Sequence, residues 1–358
     1  MSKCALIMAG GTGGHIFPGL AVANALRDNG WRVHWLGGRG TPTQPSMESQ
    51  LVPQEGFAFE TIDFGGVRGK GLSTAVLLPL RLLKAFWQSI VVVRRVKPDV
   101  VVGLGGYITF PAGMMSVLLG KPLVLHEQNS VAGLANRVLA GVADRVFTAF
   151  PDVLRDARWV GNPLRAAFLK VPEPEQRFAG RSGPLQVLVV GGSLGAKALN
   201  EIVPQALALI PAGQRPHVLH QSGARQLEAL RANYAQAGVS AGLTAFIDNT
   251  AQAFADADLI ICRAGASTVT EIAAVGAAAL FVPFPFAVDD HQTTNARFLA
   301  ASGAAWLVQQ NELTPQYLAD LLQKTERSAL VQRALEAKKL QKLDATQQVL
   351  TACEELAQ

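Results

Sequence analysis

Cysteine is scarce in this chain. Only Cys4, Cys262 and Cys353 occur in 358 residues, odd in number and far apart. That argues against a disulfide framework and, without metal-ligand spacing, against a zinc site; it suits a reducing compartment. Charge is also sparse, at 16% of residues against 49% hydrophobic, which is a globular composition and not a disordered one. Long apolar runs are missing. Cys4–Ala9 ends in glycines with no cleavage-like site and does not read as a signal peptide. Val76–Val93 is interrupted by Pro79, Arg81, Lys84 and Gln88 and does not read as a membrane-spanning helix.

One stretch lacks acid altogether. Between Asp63 and Asp99 there is no Asp or Glu, while Arg68, Lys70, Arg81, Lys84, Arg94, Arg95 and Lys97 all fall there. Val76, Leu77, Leu80, Leu83, Phe86 and Trp87 are interleaved at spacings that put an apolar face beside a basic one. Such a surface fits the anionic lipids of a cytoplasmic membrane face. No nucleic acid is expected, because aliphatics outnumber the aromatics that would stack on bases. The plainer alternative is a buried helix with a solvated edge.

Glycine is abundant where it matters. Ala5–Ala9 reads as a strand, four glycines follow in five positions, His15 comes next, and Pro18 opens a helical pattern over Leu20–Leu26. Strand, glycine loop and helix start together make an anion site, since bare N–H groups and the helix dipole face the ligand. Further strands read at Arg32–Leu36, Val100–Gly103, Leu123–His126 and Arg145–Ala149, with helices between most of them. This alternation implies a parallel, doubly wound sheet.

Gly161–Pro163 and the Pro- and Gly-rich Val171–Pro184 read as a linker, after which the pattern restarts: strand Leu185–Val190, glycine loop Gly191–Gly195, helix Ala196–Ile210, strand His217–His220. Asp99-Val-Val-Val-Gly aligns with Asp258-Leu-Ile-Ile-Cys. The chain therefore reads as a duplication of two Rossmann-like domains, 1–164 and 165–342. The helical stretch Leu318–Leu356 closes the chain, its end from about residue 343 returning to the first domain. Ligands of such sheets bind outside the carboxyl ends of the strands, so two domains facing each other would share a cleft.

Common nucleotide fingerprints are absent. Neither glycine loop matches G-x-G-x-x-G, no acid ends the second strand of either half, and Gly65–Gly71 fails the phosphate-loop spacing. Nicotinamide and NTP-hydrolysing chemistry are disfavoured. Gly191-Gly-Ser193-Leu-Gly195 does match the G-x-S-x-G elbow of serine hydrolases, with Asp248, Asp258 or Asp289 and His291 following in the required order. A phosphate cradle is the favoured reading, because an elbow leaves the first loop and the duplication unexplained. Thr268-Val-Thr-Glu271 has the form of a capping box, with recognition of a ribose diol by Glu271 as its alternative. His15, beside the first anion site, is the candidate general base, imidazole being the side chain that titrates near neutral pH. Asp289-Asp290 is not D-x-D, so no metal site is read.

In order along the chain stand G-G-T-G-G-H at Gly10–His15, G-G-Y at Gly105–Tyr107, H-E-Q-N at His126–Asn129 and G-N-P-L-R at Gly161–Arg165. G-G-S-x-G-A at Gly191–Ala196, F-I-D at Phe246–Asp248, C-R-A-G-A-S-T-V-T-E at Cys262–Glu271 and H-Q-T-T-N-A at His291–Ala296 complete the set. With these motifs the chain resembles the MurG-type N-acetylglucosaminyltransferases of bacterial peptidoglycan synthesis over essentially its whole length. The resemblance implies a GT-B fold and inverting transfer of GlcNAc from UDP-GlcNAc to the C4 hydroxyl of MurNAc in lipid I. The product would be lipid II, made at the cytoplasmic side of the inner membrane by a peripheral enzyme without a cofactor. It assigns the donor to the second domain: the Ile247 backbone to the uracil, Glu271 to the ribose diol, the Ser193 loop to the phosphates, and Ala266, Ser267, Thr268, Val269, Thr270 and Gln292 to the vicinity of the nucleotide sugar. Thr12, Gly13, Gly14, Asn129 and Arg165 would line the acceptor side, with His15 as base. Leu194 stands where the family's motif has glutamine, and Arg39–Ser46 reads as a small surface insertion.

Overall fold

The computed structural model describes residues 2–41, 44–65, 77–192 and 195–357. It divides into two compact units, Met1–Arg165 with Leu343–Gln358, and Ala166–Lys342.

The first unit holds a seven-stranded sheet built from β1 (Cys4–Met8), β2 (Arg32–Gly38), β3 (Ala58–Ile62), β4 (Val100–Gly103), β5 (Leu123–Glu127), β6 (Arg145–Thr148) and β7 (Arg158–Trp159). Every pairing is parallel and the order is β3-β2-β1-β4-β5-β6-β7. Both faces are covered, which is why these strands read as continuous apolar runs. Along β1, Ala5 and Ile7 point into a core shared with the helices Gly13–Asp28 and Ala345–Leu356. Cys4, Leu6 and Met8 point the other way, against Val92, Val93 and Val96 of the helix Leu78–Val96 and Ala112 of the helix Thr109–Leu118. The last helix is thus part of the first unit's core, and Lys3 Nζ donates to the carbonyl of Glu354 at 3.4 Å.

The second unit repeats the plan with β8 (Gln186–Val190), β9 (His217–Gln221), β10 (Gly242–Thr244), β11 (Leu259–Cys262), β12 (Ala278–Phe281) and β13 (Ala305–Leu307), in the order β10-β9-β8-β11-β12-β13. The duplication reaches individual hydrogen bonds. Asp99 Oδ2 accepts from the N–H of Cys4 at 2.7 Å, and Asp258 Oδ2 from the N–H of Gln186 at 2.8 Å. In each unit, then, the aspartate before the fourth strand ties down the start of the first.

Three local expectations need correction. The first long helix starts at Gly13, not at Pro18. The carbonyl of Thr12 accepts from the N–H groups of His15 at 3.0 Å and Ile16 at 3.2 Å, so the glycines are already helical. Pro18 lies inside and forfeits the bond its nitrogen would have given Gly14. Second, the segment read as a linker is docked onto the second unit beyond Arg165. Phe168 packs edge-on against Phe254, with ring centroids 5.8 Å apart. Arg177 caps two helix ends by donating to the carbonyls of Ala255, Val275 and Gly276 at 2.8, 2.9 and 2.6 Å. Third, the surface insertion forms a small antiparallel ribbon, Gly40–Thr41 with Gln44–Pro45.

Candidate functional site

A sheet whose strand order reverses between its first and fourth strands opens a crevice at that point, outside the carboxyl ends. In the first unit the crevice lies between β1 and β4, so the segments at its mouth are Ala9–Thr12 and Leu104–Ile108. In the second it lies between β8 and β11, and the segments are the Gly191–Gly195 loop and Arg263–Gly265. Both glycine loops therefore stand where this topology places ligands.

The first crevice is built by close backbone approach. A Cβ on Gly106 would sit 2.4 Å from the carbonyl oxygen of Gly10, so only glycine lets the two loops meet. His15 stands on the first turn of the helix Gly13–Asp28, and its Nδ1 lies 3.0 Å from Gln128 Oε1. Gln128 Nε2 lies 3.1 Å from His126 Nδ1, and His126 Nε2 lies 2.8 Å from the carbonyl oxygen of Gly161. His126 is wholly buried, and that burial pushes its pKa down to about 4, so the ring is neutral. His126 thus lies behind the site and supports Gln128.

Glu127 is buried too. Its Oε1 accepts from the Asn129 N–H at 2.9 Å, and its Oε2 from the Gly133 N–H at 3.2 Å and Asn136 Nδ2 at 2.8 Å. That carboxylate organises the loop carrying Asn129. Arg165 reaches the same region, its guanidinium carbon 5.2 Å from the centre of the Phe17 ring. The Phe17 ring in turn folds over Gly13, 3.1 Å from where a Cβ would stand. Thr12, Gly13, Gly14 and His15 thus form one helix start, with Arg165 linked to it through Phe17.

Sequence reasoning missed Glu48. This buried side chain accepts from the Gly11 N–H at 3.3 Å and the Gly38 N–H at 3.2 Å. It uses one of the loop's donors and places a carboxylate behind the glycines. The N–H groups of Gly13 and Gly14 lie in the first turn of the helix, where no intrahelical acceptor is available to them. An acid in the first turn of the helix Met47–Gln54 reads locally as a dipole complement, so nothing near it in sequence signals this contact.

In the second unit, Gly195 has a φ of +77°, and a Cβ there would meet the Ser222 carbonyl oxygen at 2.0 Å. The loop is held by the N–H of Gly195, which donates to the carbonyl of Gly192 at 3.0 Å. Ser193 and Leu194 lie outside the described residues. The helix Ala266–Val275 starts after Gly265, so Thr268 is inside it and Glu271 is its sixth residue. The capping box does not form, which leaves Glu271 without that structural duty.

Gln292 is the second residue of the helix His291–Ala300, and its Oε1 accepts from the N–H groups of Ala264 at 3.2 Å and Phe284 at 3.0 Å. Two donors on one oxygen fix the amide, so its NH2 is the end presented outward. The Ile247 carbonyl accepts from Thr250 Oγ1 at 3.3 Å. Ser267 Oγ is buried on the first turn of the helix Ala266–Val275, with no hydrogen-bond partner among the described residues. Ala266, Ser267, Thr268, Val269, Thr270, Glu271 and Gln292 are thus gathered around one helix start.

The hydrolase alternative loses an acid here. Asp258 precedes β11, at the amino end of the sheet, while the Gly191–Gly195 loop leaves the carboxyl end of the parallel neighbour β8. The Asp258 carboxylate is instead paired with Arg181 at 2.8 Å and Arg327 at 3.1 Å.

Residues 5–148 match the glycosyltransferase family 28 N-terminal domain, and residues 186–349 match the C-terminal domain of the same family. The chain is 78% identical over 355 residues to the UDP-N-acetylglucosamine–N-acetylmuramyl-(pentapeptide) pyrophosphoryl-undecaprenol N-acetylglucosamine transferase of Polaromonas naphthalenivorans, covering 99% of each. Among solved structures, MurG of Acinetobacter baumannii is similar with a TM-score of 0.84 at 41% identity, covering 99% of both chains. The glycotransferase of kitacinnamycin, at 15% identity and a TM-score of 0.70 over 99% of both, shares the fold alone. The fold is GT-B, and the chain belongs to glycosyltransferase family 28, in its MurG family of N-acetylglucosamine transferases.

Proposed function

We propose that this enzyme transfers GlcNAc from UDP-GlcNAc to the C4 hydroxyl of MurNAc in undecaprenyl-pyrophosphoryl-MurNAc-pentapeptide, lipid I, forming lipid II. The observation that carries this reading is the 78% identity, end to end, to a transferase named for that donor and that acceptor. The unit Ala166–Lys342 takes the donor. Glu271 accepts from the ribose diol, the Ile247 backbone reads the uracil, and the Gly191–Gly195 loop with Ser193 meets the diphosphate. The helix start at Ala266–Thr270 and the NH2 of Gln292 serve the sugar and its phosphates. The unit containing His15 takes the acceptor, with Thr12, Gly13, Gly14, Asn129 and Arg165 around it.

In the transfer, His15 removes the proton of the C4 hydroxyl as its oxygen attacks the anomeric carbon of GlcNAc. The bond from that carbon to the UDP oxygen breaks, UDP leaves with the electron pair, and configuration inverts from α to β. Backbone donors at a helix N-terminus stabilise the departing diphosphate. UDP release from UDP-GlcNAc should therefore depend on a lipid I analogue. Ester hydrolysis without an acceptor, in a chain that does not bind UDP, would contradict the reading.

The acceptor's lipid tail requires the enzyme to meet a bilayer. No helix among the described residues is long and apolar enough to cross a membrane. The helix Leu78–Val96 buries Ala85, Ser89, Val92, Val93 and Val96 while leaving Leu80, Leu83 and Trp87 exposed at 65%, 63% and 66%. Arg81, Arg94 and Lys97 are exposed beside them, whereas Lys84 is paired with Asp63 at 2.8 Å and Arg95 with Glu60. This stripe is the face that rests on anionic lipids of the cytoplasmic leaflet. Arg68, Lys70 and Val76, which the sequence adds to it, lie outside the described residues. Leu80→Glu with Leu83→Glu should weaken binding to anionic liposomes while leaving the unfolding midpoint nearly unchanged, because both side chains are already in water. Unfolding of the double variant would show instead that the stripe is core.

A further inference from the structure

We propose that Gln128 and His126 are positioning residues that hold His15 with its proton on Nδ1, so that Nε2 is the atom left to accept the acceptor's proton; this rests on the reading of His15 as the base. The Gly161 carbonyl can only accept, so His126 Nε2, 2.8 Å away, carries a hydrogen and donates it. A fully buried, neutral His126 then has a lone pair on Nδ1. Gln128 Nε2 lies 3.1 Å from that lone pair and 3.2 Å from the His126 carbonyl oxygen, so both amide hydrogens have acceptors. The amide cannot turn over without setting its oxygen against two acceptors. Its oxygen is therefore held towards His15, 3.0 Å from Nδ1, and an amide oxygen only accepts. His15 Nδ1 must carry the hydrogen.

The backbone protects this bond. Gly105 has a φ of +90°, and a Cβ on it would lie 2.7 Å from His15 Nδ1 and 3.2 Å from Gln128 Oε1. Thr109 Oγ1 pins the segment by donating to the Gly105 carbonyl at 2.8 Å. The segment thus passes close against the hydrogen bond and leaves no room there for a side chain. The arrangement matters because imidazole in water favours the opposite tautomer, in which Nε2 carries the hydrogen and cannot take another. In the orienting role that a buried carboxylate plays for histidine in serine proteases, this protein uses a neutral amide, itself aligned by a second histidine.

Two-bond 1H–15N correlation spectra of the native enzyme, recorded above the histidine titration range, test this without a variant. We expect opposite tautomers, Nδ1–H for His15 and Nε2–H for His126. Gln128→Ala should move His15 towards Nε2–H and lower kcat while leaving the KM for UDP-GlcNAc unchanged. A native His15 found as Nε2–H overturns the proposal whatever His15→Ala does, and so does a Gln128→Ala enzyme with unaltered tautomer and kcat. A His15 found as Nδ1–H, but replaceable by alanine without loss of turnover, overturns the base reading and leaves the tautomer assignment standing.

Discussion

His15→Ala lowers turnover by about 10²–10⁴-fold, the range that a positioned general base contributes, and leaves UDP affinity near the native value. The imidazole sits on the first turn of the helix Gly13–Asp28, in a different unit from Glu271 and Gln292, the residues proposed for the donor. It is also removed from no apolar core; its one side-chain hydrogen bond among the described residues is to Gln128. Stability should therefore change little, and the loss should appear in kcat. UDP titration and acceptor-dependent UDP release, measured on the same preparation, separate the two effects. Unchanged turnover would pass the role to water or to another group.

Glu127 is the obvious rival, and its surroundings predict a different outcome. Glu127→Gln should lower the stability of the first unit by about 3 kcal/mol, because it replaces one oxygen of a carboxylate that accepts charge-assisted bonds with an NH2 facing donors. Whichever way the new amide turns, its NH2 meets either the Asn129 N–H or the pair formed by the Gly133 N–H and Asn136 Nδ2. Burial prevents water from relieving that contact. Chemical denaturation checks this, with UDP affinity expected to hold because the residues proposed for the donor belong to the other unit. A variant of native stability whose turnover falls as far as that of His15→Ala would instead make Glu127 the base.

Much of this architecture was legible because it is local. Buried parallel strands such as Val100–Gly103 and Leu259–Cys262 read as short unbroken apolar runs, and the repeated aspartate before each, Asp99 and Asp258, marked the duplication. What was misread depends on partners far along the chain. Glu48 meets Gly11 across 37 positions and Gln128 meets His15 across 113, so no local pattern could announce either contact. The composition of Val171–Pro184 suggested a loose connector, yet Arg177 finds three carbonyls on two helices of the second unit. Pro18 looked like a helix start because proline favours first turns, and the glycines before it look like loop. The helix nevertheless begins at Gly13, just after Thr12, and this moves His15 from the loop to the helix's first turn. The same kind of shift removed the capping box at Thr268–Glu271, whose local spacing was right but whose helix begins at Ala266.

The central claim is a single displacement at a C4 hydroxyl, and the product records it. Incubating the enzyme with UDP-GlcNAc and a lipid I analogue, and determining the new linkage by NMR, should give GlcNAc joined in the β configuration to C4 of MurNAc, with one UDP released for each bond formed. An α linkage, a bond to another hydroxyl, or free GlcNAc in place of the disaccharide would contradict the account.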